Sequence, residues 1–142
     1  HLIRNGRAVS VRLENKQLSN QSTIMVSAAA VNKPELNREL CAPAHFHAMP
    51  SIAYRLARVA VGDGICGISL YAVSAHDVVA GHALLRGAGG VLLDENGSEI
   101  RYATEAQMTA VSQRCFGGSP SACRELKARE WNLVLGGSNA ID

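Results

Sequence analysis

Along this chain of 142 residues, apolar positions switch repeatedly between a spacing of two and a spacing near 3.6, the signature of strands alternating with helices. Residues 7–13 alternate with period two after Asn5-Gly6, which predicts a half-buried strand. Residues 14–22 are polar and read as a loop, and residues 23–27 are β-branched and apolar, a second strand. Pro34 opens a helix, with Asn32 as its candidate cap and Glu35 and Glu39 in the early turns, where acids suit the dipole. His45-Phe46-His47 ends that region. From Pro50 to a stop at Gly62 runs a core helix whose wet stripe is Ser51, Arg55 and Arg58. Residues 65–72 are apolar on both faces and predict a central strand.

Residues 75–97 organise the rest. From Val78 the helical wheel is apolar in nearly every direction, with His82 and Arg86 as its narrow polar stripe, which predicts a helix buried against a sheet. Gly81 costs about 1 kcal/mol inside a helix, so its presence predicts close approach of a neighbouring element. Gly89 and Gly90 end the helix, residues 91–93 form a short buried strand, and residues 94–97 form a turn. Residues 99–102 predict a returning strand of a hairpin. Residues 104–113 are weakly amphipathic, 115–123 read as a loop, 121–130 as a short helix and 131–135 as a last strand. Gly136-Gly137-Ser138 reads as the start of one more helix. Strands alternating with helices make this an α/β layered domain, a single domain over residues 1–142.

Composition narrows the function classes. A formal net charge of +2 with scattered arginines and 4% aromatics offers neither a basic patch nor a stacking platform for nucleic acid. No apolar run approaches the roughly 20 residues that cross a bilayer. Cys41, Cys66, Cys115 and Cys123 lack zinc spacing, although Cys115 and Cys123 are close enough in sequence to pair. A reduced, cytoplasmic setting is expected. His45 and His47 are read as non-convergent and so as poor metal ligands. The Gly-rich residues 87–90 follow a helix, at the wrong dipole end to cradle phosphate. No G-x-S-x-G elbow is present.

Asp77 poses the central question. Ser74-x-x-Asp77 has the form of a capping box, which accounts for an acid at this helix start without any further role. Yet His76-Asp77-Val78-Val79-Ala80-Gly81 with Gly87-Ala88-Gly89-Gly90 resembles W-D-x-A-A-G and E-A-G-G, the C-terminal signature of the inositol monophosphatase family. Pro50-Ser51-Ile52-Ala53 through Val59-Ala60-Val61-Gly62 resembles the family segment G-S-A-A-x-x-x-x-x-V-A-x-G. The resemblance runs from about Arg4 onward and is specific over residues 51–97. It implies an α/β layered sandwich, a mixed and largely buried sheet with helices, as the second, substrate-side domain of a Mg²⁺-dependent phosphomonoesterase, with Asp77 as a metal ligand. It also implies that Ser51, Ile52, Leu70 and His76 line a pocket for a small sugar, inositol or nucleotide phosphate.

The family's other metal carboxylates lie in an E-E pair and a D-P-I/L-D-G-T motif, and neither occurs here. The resemblance therefore implies that the N-terminal metal-binding half is absent and is itself a partner, that the isolated chain is inactive, and that the protein is a homodimer. His76 replaces the family Trp. Leu70 replaces a Glu that binds a sugar hydroxyl in inositol-specific members, which weakens the case for inositol phosphate. The competing expectation is a non-catalytic interaction or regulatory domain that keeps the fold.

Overall fold

The computed structural model describes residues 2–135. Asn5 and Gly6, at φ 51° and 75°, turn β1 (Leu2–Arg4) back onto β2 (Arg7–Val9). This antiparallel ribbon is separate from the main sheet. The strand expected over residues 7–13 therefore stops at Val9. Leu13, fully buried, instead opens a 3-10 turn (Leu13–Asn15), and its N–H bonds the Ala88 carbonyl at 2.8 Å.

The main sheet is built from β3 (Thr23–Val26), β4 (His45–Ala48), β5 (Cys66–Ser69), β6 (Val91–Asp94) and β7 (Cys115–Gly118). Their order is β4-β3-β5-β7-β6, with β3 parallel to β4 and β5, and β7 antiparallel to β5 and β6. The connecting helices are α1 (Pro34–Cys41), α2 (Ile52–Ala60), α3 (Ala75–Gly87), α4 (Glu105–Thr109), α5 (Pro120–Lys127) and α6 (Asn132–Leu135). The architecture is α/β, as the apolar spacing predicts, and a sandwich with a mixed sheet, as the family resemblance implies.

Alternation along the strands divides the interior into two cores. Ile24, Cys66, Ile68, Leu93 and Phe116 meet Leu40, Cys123, Leu126 and Trp131 on the side of α1, α5 and α6. Met25, Leu92 and Cys115 meet Leu56, Val59, Val78 and Leu85 on the side of α2 and α3. Gly81 explains itself here: a Cβ at this position would lie 2.8 Å from Leu56 Cβ, so the glycine lets α3 lie directly on α2. Gly89, at φ +80°, closes α3 in a Schellman motif, with Gly90 N–H on the Leu85 carbonyl and Gly89 N–H on that of Arg86.

Several expectations change. Lys33, not Asn32, caps α1, because Asn32 closes a preceding 3-10 turn (Ala28–Asn32). His45-Phe46-His47 does not end a helix but forms β4, and the two histidines share a face, as residues two apart on a strand must. Residues 99–102 return along β6 through the Ile100 N–H to Leu92 carbonyl bond and a single bridge, without becoming a strand. The expected loop at 115–123 is β7, buried at the heart of the sheet, followed by α5, which Ser119 caps.

Cys115 and Cys123 consequently face opposite cores and cannot pair. Cys123 Sγ instead lies 3.6 Å from Cys66 Sγ, with all four cysteines free and buried. Burial pushes the Cys66 thiol well up and that of Cys41 up to about 12, so both are inert at neutral pH. The last expected strand is α6: Trp131 and Val134, three apart, bury while Leu133 is exposed, a helical and not an alternating pattern. Trp131 is pinned by its indole N–H to the Leu126 carbonyl at 2.7 Å and by contact with Phe116. The helix start expected at residues 136–138 lies outside the described residues.

Candidate active site

Because β3, β4 and β5 run parallel, their carboxyl ends share one edge of the sheet, and α2 and α3 both begin there. In open α/β sheets that edge is where ligands bind. Ser51 caps α2 at this edge, its hydroxyl accepting from Tyr54 N–H at 3.4 Å. Its φ of 64° and ψ of 117° put a non-glycine residue in a sparsely populated region, a strain that tends to mark functional positions. The Ser51 carbonyl accepts from Arg55 N–H at 3.0 Å and from Arg55 Nε–H at 3.3 Å.

Arg55 was expected on a solvated stripe, but it is completely buried, and its guanidinium also donates to the Ile68 carbonyl at the end of β5. A helical wheel gives the angle of this side chain but not which way the sheet lies. Here the angle aims it at strand-end carbonyls that need donors. Arg58 does stay on the wet side, with Nε 2.7 Å from Asp63 Oδ2. On α3, His82 of the narrow polar stripe is also buried. Its Nε2 is hydrogen-bonded with Glu99 Oε1 and its Nδ1 with the Tyr102 hydroxyl, both at 2.7 Å. Burial raises the Tyr102 hydroxyl to about 12, which keeps it a donor. The solvated side of α3 is instead apolar, with Val79 and Leu84 exposed, so the helix is not buried all round as its composition predicts.

Asp77 occupies the third position of α3, and the expected capping contacts form: Ser74 N–H and Ser74 Oγ–H donate to Asp77 Oδ2 at 2.9 and 2.8 Å. These bonds, backbone first and hydroxyl second, hold its carboxyl below the usual range, with His76 adding a smaller pull. Capping does not consume the group. Oδ2 takes both donors, whereas Oδ1 lies 3.6 Å from His76 Nε2 on a side chain that is 42% exposed. A carboxylate has about four acceptor positions, so an oriented anionic oxygen is left for a further partner.

Of the other expected pocket residues, His76 is 88% exposed beside Asp77, with Nδ1 3.0 Å from Ser74 Oγ. Ile52 buries its side chain in the core under α2 and offers the edge only its backbone. Leu70 is half-buried and lines a cavity of about 210 Å³ with Ser27, Asn37, Tyr71 and Trp131, on the side of α1 and α6. The structure thus brings His76, Asp77 and Ser74 together, sets Ser51 at the neighbouring helix start, and turns Leu70 to a separate cavity. The donor set is too small for magnesium by itself. Among the described residues no three or more His, Cys, Asp or Glu side chains converge, whereas Mg²⁺ requires octahedral oxygen coordination.

No protein-family model and no curated protein matches the sequence. Solved structures do. The staphylococcal SaIMPase-II with bound 2'AMP superposes with a TM-score of 0.65 at 18% identity, over 86% of this chain and 45% of that one. An inositol monophosphatase from Anabaena (Nostoc) gives 0.58 at 25% identity, over 87% and 48%. That of Thermotoga maritima gives 0.63 at 18%, over 87% and 44%. The fold is that of the inositol monophosphatases. This chain spans a little under half the length of each of these structures. Within the inositol monophosphatase fold the two signature segments recognised in the sequence become α2 and α3, packed side by side. No helix among the described residues is long and apolar enough to cross a membrane.

Acid should weaken this arrangement. The Asp77 carboxyl is lowered by Ser74. Burial would raise that of Asp63, but hydrogen bonds from Arg4 and Arg58 lower it. A group whose folded pKa lies below its unfolded value of about 3.9 stabilises the fold above that value and loses the contribution as pH falls through the folded pKa. The urea midpoint of the chain is therefore expected to fall below about pH 4, and Asp63→Asn and Asp77→Asn to show a shallower acid loss than the parent.

Proposed function

We propose that this chain is the substrate-side half of a Mg²⁺-dependent phosphomonoesterase, and that Asp77 supplies one of the metal's carboxylate ligands. The observation that carries this reading is the Asp77 carboxylate, oriented by two Ser74 donors with one oxygen turned outward, at the sheet edge where α2 and α3 begin in an inositol monophosphatase fold. The remaining oxygen ligands come from a half with the E-E and D-P-I/L-D-G-T carboxylates. The exposed positions of α2 and α3 support such a partner, since Ala53, Tyr54, Val79, Ala80, Ala83 and Leu84 are all exposed and mostly apolar.

The bound metals would neutralise phosphate charge and activate the attacking water. This chain's own residues fix one ligand and wall the pocket. Leu70, which stands where inositol-specific members of the family carry a hydroxyl-binding Glu, has no acceptor and faces a separate cavity, so that position brings no sugar-hydroxyl acceptor to Asp77. This favours a nucleotide or another sugar phosphate over inositol monophosphate. The staphylococcal SaIMPase-II has been solved both with 2'AMP and with inositol monophosphate bound.

The test is phosphate release from AMP isomers and inositol monophosphate, measured on the 142-residue chain alone and on the chain co-produced with a carboxylate-bearing inositol monophosphatase half. No turnover alone, Mg²⁺-dependent turnover together, and a lower kcat/KM for inositol monophosphate are expected. Turnover by the homogeneous chain alone would overturn the reading. Silence of a folded two-half complex would favour the non-catalytic interaction domain.

A further inference from the structure

Among the described residues β4 is an edge strand that pairs only with β3, in parallel register with Thr23 opposite His45 and Met25 opposite His47. Phe46 and Ala48 turn inward and pack on the core under α1, so His45 and His47 stand on the other face, where both are exposed. Among the described residues neither imidazole makes a hydrogen bond, ion pair or ring contact. Two side chains on one face of a strand rise from points about 6.7 Å apart, two residues of strand rise.

Metal–imidazole bonds are about 2.0–2.1 Å long, so two rings leaning toward one another over Phe46 close a chelate around one ion. Strand pairing already fixes the two Cα positions, so binding orders only side-chain torsions and not the backbone. We propose that His45 and His47 form a two-histidine site for a transition-metal dication of the Zn²⁺ or Cu²⁺ type, with water in the remaining positions. Neutral imidazole suits these ions, whereas Mg²⁺ prefers oxygen. The site is therefore chemically separate from any magnesium held at Asp77, and it does not rest on the function proposed above.

Zn²⁺ titration of the full 142-residue chain at neutral pH, in competition with a chromogenic chelator, tests this directly. His45→Ala and His47→Ala are each expected to weaken the site by about 10-fold or more, because a single imidazole has no chelate. His47→Cys, which keeps a zinc ligand at the same place on the strand, is expected to retain it. Both positions are exposed, so melting temperatures in metal-free buffer should match the parent. With Cu²⁺, electron paramagnetic resonance should show nitrogen coupling that either alanine variant reduces. Equal Zn²⁺ affinity in the parent and both alanine variants, or unchanged nitrogen coupling, would overturn the proposal. So would loss of binding in His47→Cys equal to that in His47→Ala.

Discussion

Asp77→Asn, made in the two-half enzyme, is expected to lower Mg²⁺-dependent kcat by about 10²-fold or more while melting temperature stays nearly unchanged. Asn keeps the shape of Asp, and its amide oxygen can still accept the Ser74 N–H and hydroxyl bonds that now end on Oδ2. What it loses is the negative charge and the second oxygen, the one near His76 that no capping donor uses. A residue that only capped α3 would cost at most about 1 kcal/mol of stability and no activity. Both quantities should be measured on one preparation, with kcat taken over a Mg²⁺ series. A weakened metal site raises the Mg²⁺ requirement and lowers the plateau, whereas near-parental kcat at saturating Mg²⁺ would return Asp77 to the role of a cap.

Gly118→Ala is expected to abolish cooperative folding of the isolated chain, a loss of more than about 4 kcal/mol, which few single substitutions reach. Gly118 ends β7 at φ +152°, paired with Cys66 on one side and Val91 on the other. A Cβ there would fall 2.1 Å from the Ile65 carbonyl oxygen and 2.9 Å from Cys66 Cα. Both are backbone atoms of the central strand region and cannot rotate aside. The Ile65 oxygen is also held by Ser119 N–H at 2.9 Å.

Gly87→Ala is the matched control. Nothing lies within 4 Å of a Cβ at Gly87 in the last turn of α3, so the same change should stabilise by up to about 1 kcal/mol. Urea unfolding of the two variants, followed by far-UV circular dichroism, separates them. A cooperative transition for Gly118→Ala near the parental midpoint would show that β7 can move away from β5.

The reading of residues 115–123 shows why one part of the fold was hidden in the sequence. Gly117-Gly118-Ser119-Pro120 has the composition of a loop, and local propensity reads it so. The glycines are required instead by neighbours distant in sequence: Leu56 and Leu85 crowd the face of β7 at Gly117, and the backbone of Ile65 crowds Gly118. The burial of Arg55 was hidden in the same way, since a wheel assigns a polar side chain to water unless a buried partner is known, and its partner is the Ile68 carbonyl. The histidines of β4 are a different case. Once the segment is a strand, period two alone puts both on one face.

By itself the sequence determined what depends on neighbours within about one helical turn or one turn of chain. That covers the Ser74–Asp77 capping pair, the glycine stop after α3 and the apolar strands β3 and β5. It also covers the two signature segments that carry the inositol monophosphatase resemblance. Only the tertiary structure decided where β7 enters the sheet, that Cys115 and Cys123 face opposite cores, that Trp131 opens a helix and not a strand, and that Arg55 is buried. Local torsion preferences and capping bonds involve atoms a few residues apart. Strand order and the satisfaction of buried polar groups depend instead on which distant segments meet, and that is set by the packing of α2 and α3 on one face of the sheet and α1 and α5 on the other.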